Sequence, residues 1–246
     1  MKILVCISKA PETTTKITFT DGNTKFDKNG VKYIVNPYDE WYALVRGLEL
    51  KETNGGTVTT ITVGTSEDDA TIRKALAIGA DDAVRIDTEA VDAFQVASEI
   101  ANFAKDGEYD LILLGKETID YNGSQVGGML AEHLDLPFIS LASKLGVEGS
   151  KATLDKEIVG GVQTVEANLP IVVSCAKGMA EQRIPNMRGI MAARSKPLKV
   201  VESSNPNKNT SFEKYALPEP KSAVKLIDPE DMDKLVDLLH NEAKVI

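Results

Sequence analysis

The strongest constraint on the fold is a recurrence. Apolar runs of strand length fall at Ile3–Ile7, Val58–Val63, Ala83–Ile86, Leu111–Leu114 and Ile171–Cys175, and amphipathic helical segments separate most of them. Runs this apolar suit strands covered on both faces, and their alternation with helices predicts a parallel sheet clothed by helices. Asn36 and Pro37 read as a helix start, after which Tyr38, Trp41, Tyr42, Val45 and Leu48 share a face until Asn54-Gly55-Gly56 stops it. Ser66 precedes Glu67, Asp68 and Asp69, which suit the first turn of a second helix that carries Ile72, Ala75 and Leu76 inward and ends at Gly79. Ala93, Val96, Ala97, Ile100 and Ala104 mark a third helix. Between Ile17 and Val35 a polar interval with an Asn29-Gly30 turn predicts an inserted hairpin.

Beyond Pro137 the pattern changes to alternating stretches that turn near Gly149 and Gly160-Gly161, so antiparallel strands are expected beside the parallel ones. From Ser203 to Thr210 the chain is too polar to pack, and Leu217-Pro218-Glu219-Pro220 is extended and stiff. A helix capped by Asp228, with Met232, Leu235, Val236 and Leu239 on one side, should follow. The expected organisation is an α/β domain over residues 1–202 and an arm over 203–246 that ends in a helix, folded back or docked on another chain.

Composition narrows the function. With 246 residues, 42% hydrophobic and 26% charged, the chain can bury a large core. A net charge of −9 disfavours nucleic acid and anionic membrane as general partners. Cys6 and Cys175 lack metal-ligand spacing and read as buried thiols. The opening MKILVCIS is too short for a signal core, and no apolar run approaches the ~20 residues of a membrane span. A cytoplasmic protein without membrane insertion is the expectation. His133 and His240 sit among carboxylates with no nucleophile motif around them, and no metal or acyl-transfer motif occurs. An enzyme working through its own side chains is therefore not expected.

Two segments carry the chemistry. From Tyr109 to Leu134 a buried strand ends at Gly115 and leads through a loop into a helix near Gln125, with Ser124 placed as its cap. Gly123, Gly127 and Gly128 allow close approach, and the helix amides favour a phosphate. Two readings fit that pattern, an anion site or a packing turn, and no Walker lysine or G-x-G-x-x-G fingerprint decides between them. Asp120 reads as capping local N–H groups rather than as a base. The second segment, Lys177 to Lys199, carries six basic side chains against one carboxylate. Ile184, Met187, Ile190 and Met191 are interleaved among them, which suits an adaptable contact surface for an acidic, apolar-pocketed partner.

With these stretches in hand the chain resembles the β-subunit of electron-transfer flavoprotein over nearly its whole length. Val35 to Glu40, Thr71 to Asp81, Asp110 to Ala131 and Ile190 to Arg194 carry the likeness. The resemblance implies a Rossmann-like adenine-nucleotide-binding fold, paired with an α-subunit that holds the redox-active FAD. It implies AMP in this subunit, contacted by Cys6, Asn36, Pro37, Tyr38, Asp39, Val63 and the stretch Asp120, Tyr121, Asn122, Gly123, Ser124, Gln125, Val126, Gly127, Gly128, Met129, Leu130 and Ala131. It implies that Ile184, Met187, Arg188, Ile190 and Met191 form the partner-recognition loop, Met187 standing where the family has an anchoring leucine. Donors would be acyl-CoA or other flavin dehydrogenases, and electrons would pass toward a quinone oxidoreductase, as in fatty acid oxidation. The C-terminal arm would wrap the α-subunit. Thr13 falls where many relatives place a tyrosine near the flavin. Lys156 to Gly161 resembles the AMP-holding group rather than the bifurcating members that hold a second FAD. A free-standing nucleotide-binding stress-type module is the competing reading, and a nicotinamide dehydrogenase lacks its glycine fingerprint.

Overall fold

The computed structural model describes residues 1–36, 39–117, 123–221 and 223–246. After β1 (Lys2–Cys6) the chain leaves the sheet through β2 (Lys9–Pro11), β3 (Phe19–Thr20), β4 (Lys25–Phe26) and β5 (Tyr33–Val35), then re-enters through α1 (Asp39–Asn54). β6 (Thr57–Gly64), α2 (Asp69–Ile78), β7 (Asp82–Asp87), α3 (Ala93–Ala104), β8 (Leu111–Gly115) and α4 (Val126–Leu134) then alternate. β9 (Phe138–Glu148), β10 (Lys151–Ile158) and β11 (Gly161–Asn168) make an antiparallel meander before β12 (Ile171–Cys175), α5 (Met187–Ala193) and β13 (Leu198–Glu202). The chain closes with α6 (Met232–Asp237) and a π-helical turn over Leu238–Glu242.

Among the described residues the main sheet has nine strands in the order β11-β10-β9-β12-β8-β1-β6-β7-β13. β1 pairs in parallel with β6 on one side and with β8 on the other. The chain therefore winds outward from β1 through β6 and β7, then crosses back to β8, which makes the β1/β8 junction a topological switch point. Strand residues alternate between two cores. Ile3, Val5, Leu111 and Leu113 pack with Leu44, Leu48, Ile72 and Leu76 of α1 and α2. Leu4, Cys6, Ile112 and Leu114 pack with Ala97, Ile100, Leu130 and Ala131 of α3 and α4. This is the mixed α/β architecture expected, with the antiparallel pairs of the main sheet on one flank.

Local expectations need four corrections. The hairpin between Ile17 and Val35 turns at Asp21–Asn23, where β3 meets β4, because Gly22 takes φ +68° there. Asn29-Gly30 is a separate turn, closed by Val31 N–H donating to Lys28 O at 3.2 Å. A 3-10 turn over Ser66–Asp68 leads into α2, and the cap of that turn is Thr65 rather than Ser66: its hydroxyl accepts from Glu67 N–H while its own N–H donates to Asp68 Oδ2 at 2.9 Å. The last helix begins at Met232 behind Asp231, since Asp228 spends its carboxylate on the Glu230 N–H of a preceding turn. β13 lies inside and beyond the basic segment that reads from sequence as a contact surface, and pairs with β7 in parallel at the sheet edge.

The stretch after β13 is stitched to α3. Buried Glu99 accepts from Ser204 N–H at 3.0 Å and Ser204 Oγ at 2.8 Å, and also from Ser203 Oγ. Asp92 accepts from the N–H groups of Asn209 and Thr210, and Tyr215 stacks on Phe19 with ring centroids 5.1 Å apart. Beyond it, Leu217, Val224, Leu226, Met232 and Val236 are exposed.

Candidate functional site

The carboxyl ends of β1, β6 and β8 bring Cys6, Val63 and Gly115 to one edge of the sheet, at the switch point. Gly115 is glycine for a steric reason. A Cβ there would lie 2.9 Å from Asp39 Cβ and 3.1 Å from Glu40 N, so the start of α1 rests directly on the end of β8. That contact places Asn36, Asp39 and Glu40 at the crevice.

Glu40 fastens this side to β1. Its carboxylate accepts from Ser8 N–H at 2.6 Å and from Ser8 Oγ at 2.7 Å, fixing the chain just past Cys6. Asn36 is only 1% exposed and donates from Nδ2 to Glu117 O at 3.5 Å. Burial pushes the Asp39 carboxyl above its usual value; Lys116 opposes that, the Glu117 carboxylate reinforces it, and the Glu117 N–H opposes it through a hydrogen bond. Lys116 in turn pairs with the Glu117 side chain. Burial first, and the neighbouring Glu40 charge second, push the Cys6 thiol well up, so it sits as an unreactive apolar contact.

On the other wall, Ser124 takes φ +52° and donates from Oγ to Lys116 O at 2.6 Å. It ties the loop back to the end of β8 and does not cap the helix, which corrects the sequence expectation. Gln125 occupies the cap position without a side-chain bond, so among the described residues it leaves the amides at the start of α4 uncapped. Gly127 packs against Phe138 and Leu114, where a Cβ would approach to 2.8 and 3.1 Å, while Gly128 has room. Leu130 and Ala131 are buried in the core beneath, with Val126 and Met129 partly buried against it. Of the sequence-selected residues, Cys6, Asn36, Asp39, Val63 and Gly123 to Ala131 thus surround or underlie one crevice. Pro37, Tyr38, Asp120, Tyr121 and Asn122 lie outside the described residues. Ser8, Lys116 and Glu117 were missed; Lys116 directly follows β8 and Ser8 lies two residues past β1, the one signal that could have selected them.

The basic segment lies elsewhere, against α2. Ile184, Met187 and Met191 are 82%, 74% and 66% exposed, with Arg188 and Ile190 also at the surface. Its backbone is held: Trp41 Nε1 donates to Arg183 O at 3.3 Å, and Arg183 forks onto Glu52 at 2.6 and 3.1 Å. A groove of about 550 Å³ between α2 and α5 is lined by Arg73, Lys74, Pro185, Ile190 and Arg194. Among the described residues no acidic, His or Cys cluster could hold a metal, and no helix is long and apolar enough to cross a membrane.

A doubly wound sheet with a crevice at the switch point, bounded by an open helix amide end, defines the class of open α/β proteins that take their ligands at the strand ends. Residues 23–206 match the model of the electron transfer flavoprotein domain. The chain is 37% identical to the electron transfer flavoprotein subunit beta of Bacillus subtilis, with all of both chains covered. Against the subunit of that name from Syntrophomonas wolfei it is 35% identical, covering all of this chain and 98% of the relative. Against that of Sus scrofa it is 33% identical over 83% of this chain and 82% of the other. The chain belongs to the electron transfer flavoprotein family, and its relatives there are beta subunits.

Proposed function

We propose that this chain is the β-subunit of a heterodimeric electron-transfer flavoprotein, holding AMP in the switch-point crevice and pairing with an α-subunit that carries FAD. The observation that supports it most is a coincidence: the likeness to beta subunits extends over the full chain, and the described residues among those implied by resemblance for the nucleotide lie about the strand ends that topology alone selects. The donor set suits a nucleoside monophosphate. The amide end of α4 favours the phosphate, and Cys6 and Val63 offer an apolar floor for a base. Asn36 is placed on the adenine side. Bound there, AMP would supply no redox chemistry.

The chain's own residues bind and position. Glu40 and Ser8 hold the crevice wall, Ser124 holds the loop, and no side chain is required to move a proton. Met187, with Ile184, Arg188, Ile190 and Met191, presents the surface to a donor flavin dehydrogenase such as an acyl-CoA dehydrogenase, from which electrons pass through the partner's flavin toward a quinone oxidoreductase. The exposed apolar residues from Leu217 to Val236 suit burial on the α-subunit. Co-expression with a separately encoded larger chain tests the reading. A yellow complex releasing AMP and FAD on denaturation is expected; a colourless, stable monomer would refute it in favour of a free-standing nucleotide-binding module.

A further inference from the structure

α5 has seven residues and is too short to be stable alone. What holds it is a reciprocal pair of cations. From α2, Arg73 Nη1 donates one N–H to Ala193 O at 2.8 Å and the other to Lys196 O at 2.6 Å, just where α5 runs out of backbone partners. In the opposite direction Lys196 Nζ donates to Leu76 O at 3.0 Å and to Ala80 O, at the end of α2. Each cation thus sits at the negative end of the other helix. Between them Gly189 lets the two backbones touch, since a Cβ would lie 2.4 Å from Ala77 O. Asn186 closes the near end by accepting from Gly189 N–H at 2.8 Å. On the outer side, Met187 and Met191 project with no described partner to steady them.

We propose that Arg73 is a positioning residue for donor docking: by gripping Ala193 O and Lys196 O it fixes the orientation in which α5 offers Met187 and Met191. This rests on the docking role given above to that surface. Arg73 borders the groove beside Ile190, but that groove is lined by neither Met187, Met191 nor any residue of the nucleotide crevice. Its loss should therefore loosen the recognition of the donor and leave the chemistry after docking intact.

The test uses the assembled complex, with a purified acyl-CoA dehydrogenase and its acyl-CoA as the donor probe. Arg73→Met should raise the donor's KM for the complex about tenfold, at the low end for losing a charge-assisted hydrogen bond, while kcat stays unchanged. Hydrogen exchange at the amides of Ile190 to Ala193 should quicken in the same variant. Arg73→Lys keeps a cation of similar reach and should restore both. Met187→Ala serves as the reference. If it raises KM but Arg73→Met changes neither KM nor exchange, or if Arg73→Lys restores neither, the positioning role is overturned while donor docking stands. If Met187→Ala itself leaves KM unchanged, donor docking by this surface fails, and the role proposed for Arg73 fails with it.

Discussion

Gly115→Ala puts one methyl group at the most constrained point of the crevice. The new Cβ would stand 2.9 Å from Asp39 Cβ, 3.0 Å from Glu40 Cγ and 3.1 Å from Glu40 N. Carbon atoms pack at about 3.5–4.0 Å, so the start of α1 has to retreat by roughly 0.6–1 Å. Two of the three atoms belong to the backbone or are fixed to it, so no rotamer change relieves the contact. Overpacking of this kind costs about 1–3 kcal/mol. For a domain of this size each kcal/mol lowers Tm by about 2–4 °C, so a drop of roughly 2–12 °C is expected. The retreat also strains the Ser8–Glu40 bonds, at 2.6 and 2.7 Å, and withdraws Asp39 from Lys116 and Glu117. Nucleotide retention should fall together with Tm. The assay is thermal melting of the purified complex beside quantitation of the nucleotide kept after gel filtration. An unchanged Tm with full retention would refute the claim that β8 and α1 meet without room to spare.

Other expected outcomes use the same geometry. Gly128→Ala, whose Cβ meets only Phe138 at 3.8 Å, should stabilise by about 0.5–1 kcal/mol, because the chain loses glycine's unfolded freedom; a lower Tm would contradict the open space assigned there. Asp39 binds its proton more tightly in the native chain than in the unfolded one, so it lowers stability as pH rises from the ordinary 3.8 through its raised native value. Asp39→Asn, which can still accept from the Glu117 N–H, should flatten that fall and stabilise the chain at neutral pH; denaturant titrations across the acid range would show an unaltered slope if the burial argument is wrong. Glu99→Ala removes the acceptor for Ser203 and Ser204, so trypsin should cut faster after Lys208 and Lys214, and equal cutting rates would place the anchor elsewhere. Donor electron transfer should slow in Met187→Ala through weaker docking, and unaltered donor kinetics would count against its anchoring place.

The parallel sheet was legible because buried strands have no polar face to confuse the period, as in Leu111–Gly115, where every residue is buried. β13 was not. Leu198–Glu202 is an edge strand with no buried residue and no alternation, Lys199, Val200 and Glu202 being exposed, and its pattern merges into the basic segment before it. The cap ahead of α2 reads one residue late because Thr65, Ser66 and Asp68 all carry capping groups, and only tertiary position chooses among them. Ser124 shows the same competition. Its hydroxyl could bond forward into α4, but the loop returns it to Lys116 O at the end of β8. The crevice residues at strand ends could be anticipated from topology. The Glu40–Ser8 link could not, since it joins residues 32 apart in sequence through a helix start.

The central claim is that the crevice between β1, β8 and α4 holds an adenine nucleotide beside a flavin borne by another chain. Identifying and counting the nucleotides released when the purified complex is denatured tests it most directly. The expected result is one AMP and one FAD per heterodimer. Two FAD and no AMP, or a complex without AMP, would contradict the assignment of the crevice.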